Sequence, residues 1–373
     1  MRGQGWGIPP NHLLFALGAV LVLAGCSTVA DPPATTPTSS TVLPTATTMG
    51  AVTTTGAVAP TTVASCDSPE FALTARDVTV ADVAQLDAST VAYASGEPPS
   101  GPNAIAVAPD GTVWITDTEA VRLGTPRLLQ IGCNGPPGTV IDLAPHQVAS
   151  VVDVKADGQG VWIADFNLNQ DVHRVLRLDK TGDIIAEYEI PEGFRLFDGF
   201  TGLELGHDGS LLLEKIGIET YGFVSADGAS FNPPTPWSWV SQDRQVTLQN
   251  PERLGSNEGA VTIGDVTIPI VTTHALGGIA WLGDSPDGSI FVVVTELYDG
   301  PVLEVDETVW RLSPEGEVTD KARVPVAERY LYLEHPLAVT PQGEVMLMLA
   351  LEDELVVKRL EFVPGLQPIL PTG

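Results

Sequence analysis

The sequence predicts an all-β fold assembled from one repeated hairpin unit, and three observations carry that expectation. Short apolar runs come in pairs around a turn dipeptide, most often Asp-Gly. The pairs return at intervals of about 40 to 50 residues, the length of a four-stranded repeat. The 37 glycines and 31 prolines in 373 residues cut the chain too finely for a helical bundle, while a 43% hydrophobic content still allows a sizeable core. Charge narrows the function before any motif is read. With 18 Lys+Arg against 47 Asp+Glu the net charge is -29, which repels phosphate backbones and excludes nucleic acid as a partner.

From the amino terminus, residues 1–25 read as an export signal. Arg2 precedes the apolar run from Leu13 to Leu23, which is shorter than the roughly 20 residues needed to span a bilayer and suits a signal h-region. The run ends in Leu23-Ala24-Gly25-Cys26 followed by Ser27, which resembles the bacterial lipobox. That resemblance implies lipidation of Cys26 and anchoring at the extracytoplasmic face of the cell membrane. Residues 26–65 are dominated by Thr, Ser, Ala and Pro, and Asp31 is the single charge between Ser27 and Ser65. Nothing there can build a core, so the segment is expected to be a disordered tether. The globular domain is expected to cover 66–373.

Within the domain, the apolar runs flanking Asp110-Gly111 predict a first hairpin over Pro102 to Asp117. The same pattern returns around Asp157-Gly158, Asp208-Gly209 and Asp287-Gly288, and more weakly around Gln342-Gly343. Asp-Gly suits a two-residue turn in which both central positions take positive φ. Third and fourth strands follow most hairpins: Arg127 to Ile131 and Val140 to Leu143, Arg174 to Leu178 and Ile184 to Ile190, Val309 to Leu312 and Val318 to Val324. Four antiparallel strands per repeat is the composition of a β-propeller blade. The longer interval between Asp208 and Asp287 contains a further hairpin, Ala260 to Ile263 with Val266 to Ile268, so six blades are favoured over five. Trp114, Trp162 and Phe291 fall at like positions on second strands, where they are expected to pack between blades. The last repeat lacks a fourth strand, and Val78 to Val83 or Thr90 to Ala94 is expected to supply it.

The segment Pro102 to Asp117 resembles repeats of the NHL, SMP-30/gluconolactonase and virginiamycin B lyase-like propellers, over roughly 100–362. The resemblance implies a fold more than an activity. In propellers, the start of each innermost strand and the end of the next lie on one face around the channel mouth. The first column reads Asn103, Ser150, Thr201, Gly277 and His335. In SMP-30-like lactonases this column holds the Glu, Asn and Asp that bind a divalent cation, and only Asn103 matches; Ca²⁺ or Mg²⁺ would be the implied ion. The second column reads Asp117, Asp165, Glu214, Glu296 and Glu352. If these acids share a rim they form an acidic ring able to hold a cation or cationic ligand; otherwise they bond loop amides. His274 and His335 each precede an innermost strand, where streptogramin-lyase-like propellers place acid and base residues, so both are candidate catalytic groups.

No nucleophile elbow, HExxH, CxxC or phosphate loop occurs. Two classes of function follow. One is an anchored monomer that binds a protein, peptide, glycan or cation through its loop face without catalysis, and this is favoured. The other is a hydrolase or lyase using the same face. Once Cys26 is set aside, Cys66 and Cys133 remain in an exported chain, and a disulfide between them is expected.

Overall fold

The computed structural model of the protein describes residues 70–77, 82, 85–94, 101–117, 126–167, 172–190, 200–205, 211–215, 219–224, 230–231, 235–236, 239–241, 244–253, 255–298, 304–326, 329–331 and 333–366. The chain divides into Met1–Thr62 and Val63–Gly373, and every described residue belongs to the second unit. The expected signal segment 1–25, Cys26, the tether 26–65, Cys66 and the turn at Asp208-Gly209 lie outside the described residues.

Among those residues the strands form six sheets. In chain order, β1 (Phe71–Asp77) and β2 (Thr90–Tyr93) come first. The first complete sheet holds β3 (Ile105–Val107), β4 (Val113–Thr116), β5 (Arg127–Ile131) and β6 (Thr139–Asp142). The second holds β7 (Val151–Ala156), β8 (Gly160–Asn167), β9 (Val172–Asp179) and β10 (Ile184–Glu189). A third contains β11 (Phe200–Leu205), β12 (Leu211–Lys215), β13 (Glu219–Val224), β14 (Ser230–Phe231) and β15 (Thr235–Pro236). The long interval after Asp208 accommodates a sheet of its own, β16 (Trp239–Ser241), β17 (Arg244–Gln249), β18 (Glu258–Ile263) and β19 (Val266–Val271). Next come β20 (Ala275–Asp284), β21 (Ile290–Tyr298), β22 (Glu304–Leu312) and β23 (Val318–Val324). The final sheet takes β24 (Leu337–Val339), β25 (Val345–Ala350) and β26 (Glu354–Arg359), and then recruits β1 and β2. Sequential antiparallel sheets whose innermost strands meet as β20, β24, β3, β7 and β11 constitute a β-propeller.

Closure departs from expectation in its strand. β1 itself pairs antiparallel with β26, Phe71 opposite Val357 and Leu73 opposite Leu355. β2 adds outside it in parallel, Thr74 opposite Thr90. Buried Leu73 between exposed Ala72 and Thr74 is the alternation of a half-buried strand, and it places Phe71–Asp77 rather than Thr90–Tyr93 against the blade.

The hairpin turns also differ from the two-residue form. In Ala108-Pro109-Asp110-Gly111-Thr112, the Ala108 amide donates to the Thr112 carbonyl and the Gly111 amide donates to the Ala108 carbonyl. That is a type I turn closed by a left-handed glycine, with φ of 81° at Gly111. Ser285 to Ser289, Ser313 to Glu317 and Thr340 to Glu344 repeat both bonds, each with Pro at the second position and a positive-φ Gly at the fourth. Proline presets φ for the first central residue of a type I turn, so Pro-x-Gly decides the geometry more than Asp-Gly does. The Asp110 and Asp287 carboxylates accept the amides of Thr112 and Ser289 two residues on.

Trp114, Trp162 and Phe291 are buried as expected. Trp114 packs with Val151, Val154 and Ile163 of the following blade. Trp162 packs with Leu203 and Leu213 of its successor, and Phe291 with Val345 and Leu347 of the last. Each blade therefore buries its face against a neighbour, which is how the ring supplies the core that a lone sheet lacks.

Candidate functional site

The innermost strand β7 reads Val151-Val152-Asp153-Val154-Lys155, so charges interrupt an apolar strand at every second residue. In the propeller that puts Asp153 and Lys155 into the wall of a central cavity of about 280 Å³. β11 contributes Gly202, Leu203 and Glu204, and β12 contributes Glu214. Ala280, Trp281 and Leu282 come from β20, Glu307 from β22, and Arg329 and Leu333 to Leu337 from the segment leading into β24.

The charges are held by one another and by backbone. Asp153, 1% exposed, accepts the Leu203 amide at 2.7 Å and the Val154 amide at 2.7 Å. Lys155 Nζ lies 3.4 Å from Glu204 and 3.9 Å from Asp153. Burial opposes its ammonium, but Asp153, Glu204 and Glu214 outweigh that and hold its pKa above the ordinary lysine value. Arg329 pairs with Glu307 at 2.7 Å. For Glu204, burial dominates over the attraction of Lys155 and pushes the carboxyl above the usual carboxylate range. Among the described lining residues five carboxylates (Asp153, Glu204, Glu214, Glu307 and Glu334) thus face two cations, Lys155 and Arg329, besides His335. Leu203, Leu282, Leu333 and Leu337, with the Trp281 ring, supply apolar wall.

Of the residues expected at the site, Glu214 and His335 line this cavity. His335 Nδ1 is 3.9 Å from Asp153 Oδ1. Asn103 sits at its edge as a staple: its Nδ2 donates to the Val152 carbonyl and to Glu334 Oε2, both at 3.0 Å, while its Oδ1 accepts the Glu334 amide. With both ends of the carboxamide engaged it is a structural tie between blades rather than a free metal ligand.

The acidic ring does not form. Asp117 is fully buried and receives Arg127 through Nε at 2.9 Å and Nη2 at 2.6 Å, together with the Ala92 amide. Asp165, also fully buried, accepts the amides of Ala149 and Ser150 just ahead of β7 and pairs with Arg174 at 3.0 Å. Glu296 accepts the amides of Thr273 and His274 just ahead of β20. An acid closing the second strand is thus turned toward incoming backbone whose amides would otherwise be buried unpaired. Glu352 is exposed in the β25–β26 turn. His274 points elsewhere too, its ring 4.1 Å from that of Tyr298 and outside the cavity lining. Among the described residues no group of three or more His, Cys, Asp or Glu is arranged to hold a metal ion.

Asp153, Lys155, Glu204, Glu307 and Arg329 were not among the expected site residues. The alternation of charge within β7, and Glu204 between Leu203 and Leu205 on β11, was the signal available for the first three. Cys133 is disulfide-bonded; its expected partner Cys66 is outside the described residues.

No protein-family model matches the chain, and no curated protein matches it. Among solved structures, it is similar to the β-propeller domain of the trilobed protease from Pyrococcus furiosus, at 11% identity over 72% of this chain and 85% of that one, with a TM-score of 0.38. A glucose dehydrogenase gives 15% identity over 69% and 96%, TM-score 0.37. A protein of unknown function from Bacteroides caccae gives 13% over 60% and 82%, TM-score 0.37. The architecture rests on the chain's own strand pairing.

Proposed function

We propose that the chain is a lipid-anchored, six-bladed binding protein whose central cavity takes a small organic cation, such as an alkylammonium or guanidinium group. The observation that carries this reading is the surplus of carboxylate around an apolar wall. A cation entering the cavity meets a wall whose described carboxylates outnumber its described cations, and its hydrocarbon portion finds Trp281 and four leucines. The anchor follows from Leu23-Ala24-Gly25-Cys26, and the tether 26–65 would set the propeller off the membrane.

Isothermal titration with agmatine, choline and spermidine, alongside Ca²⁺, Mg²⁺ and a neutral monosaccharide, tests the reading. Heat from an organic cation that disappears in Glu214→Gln supports it. Binding confined to the metal ions or the sugar, or cation binding that is unchanged in Glu214→Gln, overturns it. A second reading rests on His335 beside Asp153, a histidine–carboxylate pair in the same wall that could move a proton during hydrolysis or elimination. Turnover in a lactone and ester screen that is lost in His335→Ala would favour it.

A further inference from the structure

A second cavity, of about 290 Å³, lies on the outer part of the β20–β23 blade, with room for about ten waters at the roughly 30 Å³ each occupies in the liquid. Thr272 and Thr273 border it, together with Glu296, Asp306, Thr308, Trp310, Lys321, Arg323 and the segment at Gly365 and Leu366. Its charges are almost all committed. Asp306, 3% exposed, receives Arg323 at 3.2 Å, and Glu296 holds the amides of Thr273 and His274.

Lys321 is the exception. Among the described residues, no acceptor lies within hydrogen-bond distance of its Nζ and no carboxylate within ion-pair distance. Its near neighbour is the face of Trp310, 3.2 Å from the ring centroid. The backbone fixes this placement from both sides, since Lys321 lies opposite Trp310 in the β22–β23 ladder and bridges to Val363 on its outer edge. We propose that Lys321 is a nucleophilic amine that forms an imine with a small aldehyde or ketone admitted to this cavity.

The chemistry suits the surroundings. Burial disfavours the ammonium and lowers the pKa of Lys321, with Glu296 opposing the shift, and the face of Trp310 also favours the charged form. The other charged groups facing it, Asp306 and Arg323, neutralise each other. The neutral Nζ attacks the carbonyl carbon, its lone pair forming the C–N bond as the C=O π pair moves to oxygen. A proton then passes from nitrogen to oxygen to give the carbinolamine, and loss of water gives the imine.

Lys155 and Lys180 are held by carboxylates, Lys180 by Asp110 at 2.5 Å. Lys358 serves as the internal comparison.

The test uses the full chain, benzaldehyde as probe, and cyanoborohydride to deliver hydride to the imine carbon and trap it as a secondary amine. Peptide mapping then reads each lysine over time between pH 6 and 9. Lys321 is expected to be modified several-fold faster than Lys358, with its rate reaching a plateau at lower pH. Glu296→Gln should accelerate it further, because the opposing carboxylate is gone while its oxygen can still accept an amide. Lys321→Arg should remove the fast modification and leave the slow ones intact. Modification of Lys321 no faster than Lys358, or no acceleration in Glu296→Gln, overturns the proposal.

Discussion

Substituting Asp117 by Asn should be among the most damaging single changes to this propeller. The carboxylate has no solvent exposure and Arg127 only 4%. Arg127 also donates to the Leu86 carbonyl at 3.1 Å and the Thr90 carbonyl at 2.7 Å, and Asp117 accepts the Ala92 amide. One ion pair therefore fastens β2 to the first complete blade. Asn keeps the shape but leaves a buried guanidinium without its counter-charge, a loss of about 3–5 kcal/mol. Unfolding entropy near 2.1 cal/mol/K per residue gives roughly 0.6 kcal/mol/K for about 300 residues, so Tm should fall by about 5–8 °C. Circular dichroism melts of wild type, Asp117→Asn, Arg127→Met and the double variant measure this, and the double variant should lose less than the two singles added together. Hydrogen exchange at the Ala92 amide should rise in Asp117→Asn before global unfolding does. A Tm loss below 2 °C, on the order of 1 kcal/mol on the same scale, or strictly additive singles, would refute the reasoning.

Three further outcomes are expected. The raised pKa of Glu204 means that its charge is lost as pH falls through a value above the ordinary carboxylate range, so organic-cation affinity measured by titration calorimetry should drop there, and Glu204→Gln should abolish that step. Non-reducing peptide mapping should find Cys66 linked to Cys133: Phe71, five residues after Cys66, lies so close to Gly135 that a Cβ there would approach the Phe71 Cβ to 3.0 Å, and two freely alkylated thiols would contradict the pairing. Cys26→Ser should shift the protein from the membrane fraction to the soluble one with its melting curve unchanged, as fractionation and immunoblotting would read.

Much of this architecture was legible because hairpins are local. Arg127 to Ile131, Arg174 to Leu178 and Val318 to Val324 announce strands by apolar and β-branched content, and a turn residue lies between each and its partner. What escaped depends on where distant segments meet. Whether Asp165 faces a channel or the amides of Ala149 and Ser150 is decided by how the blade connection packs, which alternation within β8 does not encode. Asp153 and Lys155 were legible as charges in an apolar strand, but Glu307 and Arg329 become cavity residues only once the ring has closed. The turn geometry was open to a closer reading, since Pro109, Pro286, Pro314 and Pro341 each stand two residues before a glycine.

The β1–β26 ladder joins the earliest described strand to the latest, with Phe71 opposite Val357. During synthesis the earliest of the described strands is therefore the last of them to find this neighbour, and no contact it makes there can reward closure before nearly the whole chain has been made. Contacts of such long sequence separation make for slow folding. In the interval, β26 presents an open edge of backbone donors and acceptors, the geometry through which two copies exchange strands. Capture of β1 by its own last blade is thus a kinetic contest with capture by a neighbour's. The membrane tether proposed above would crowd nascent copies together and sharpen that contest, and β2, laid outside β1 and fastened through Arg127, makes the intramolecular outcome hard to reverse.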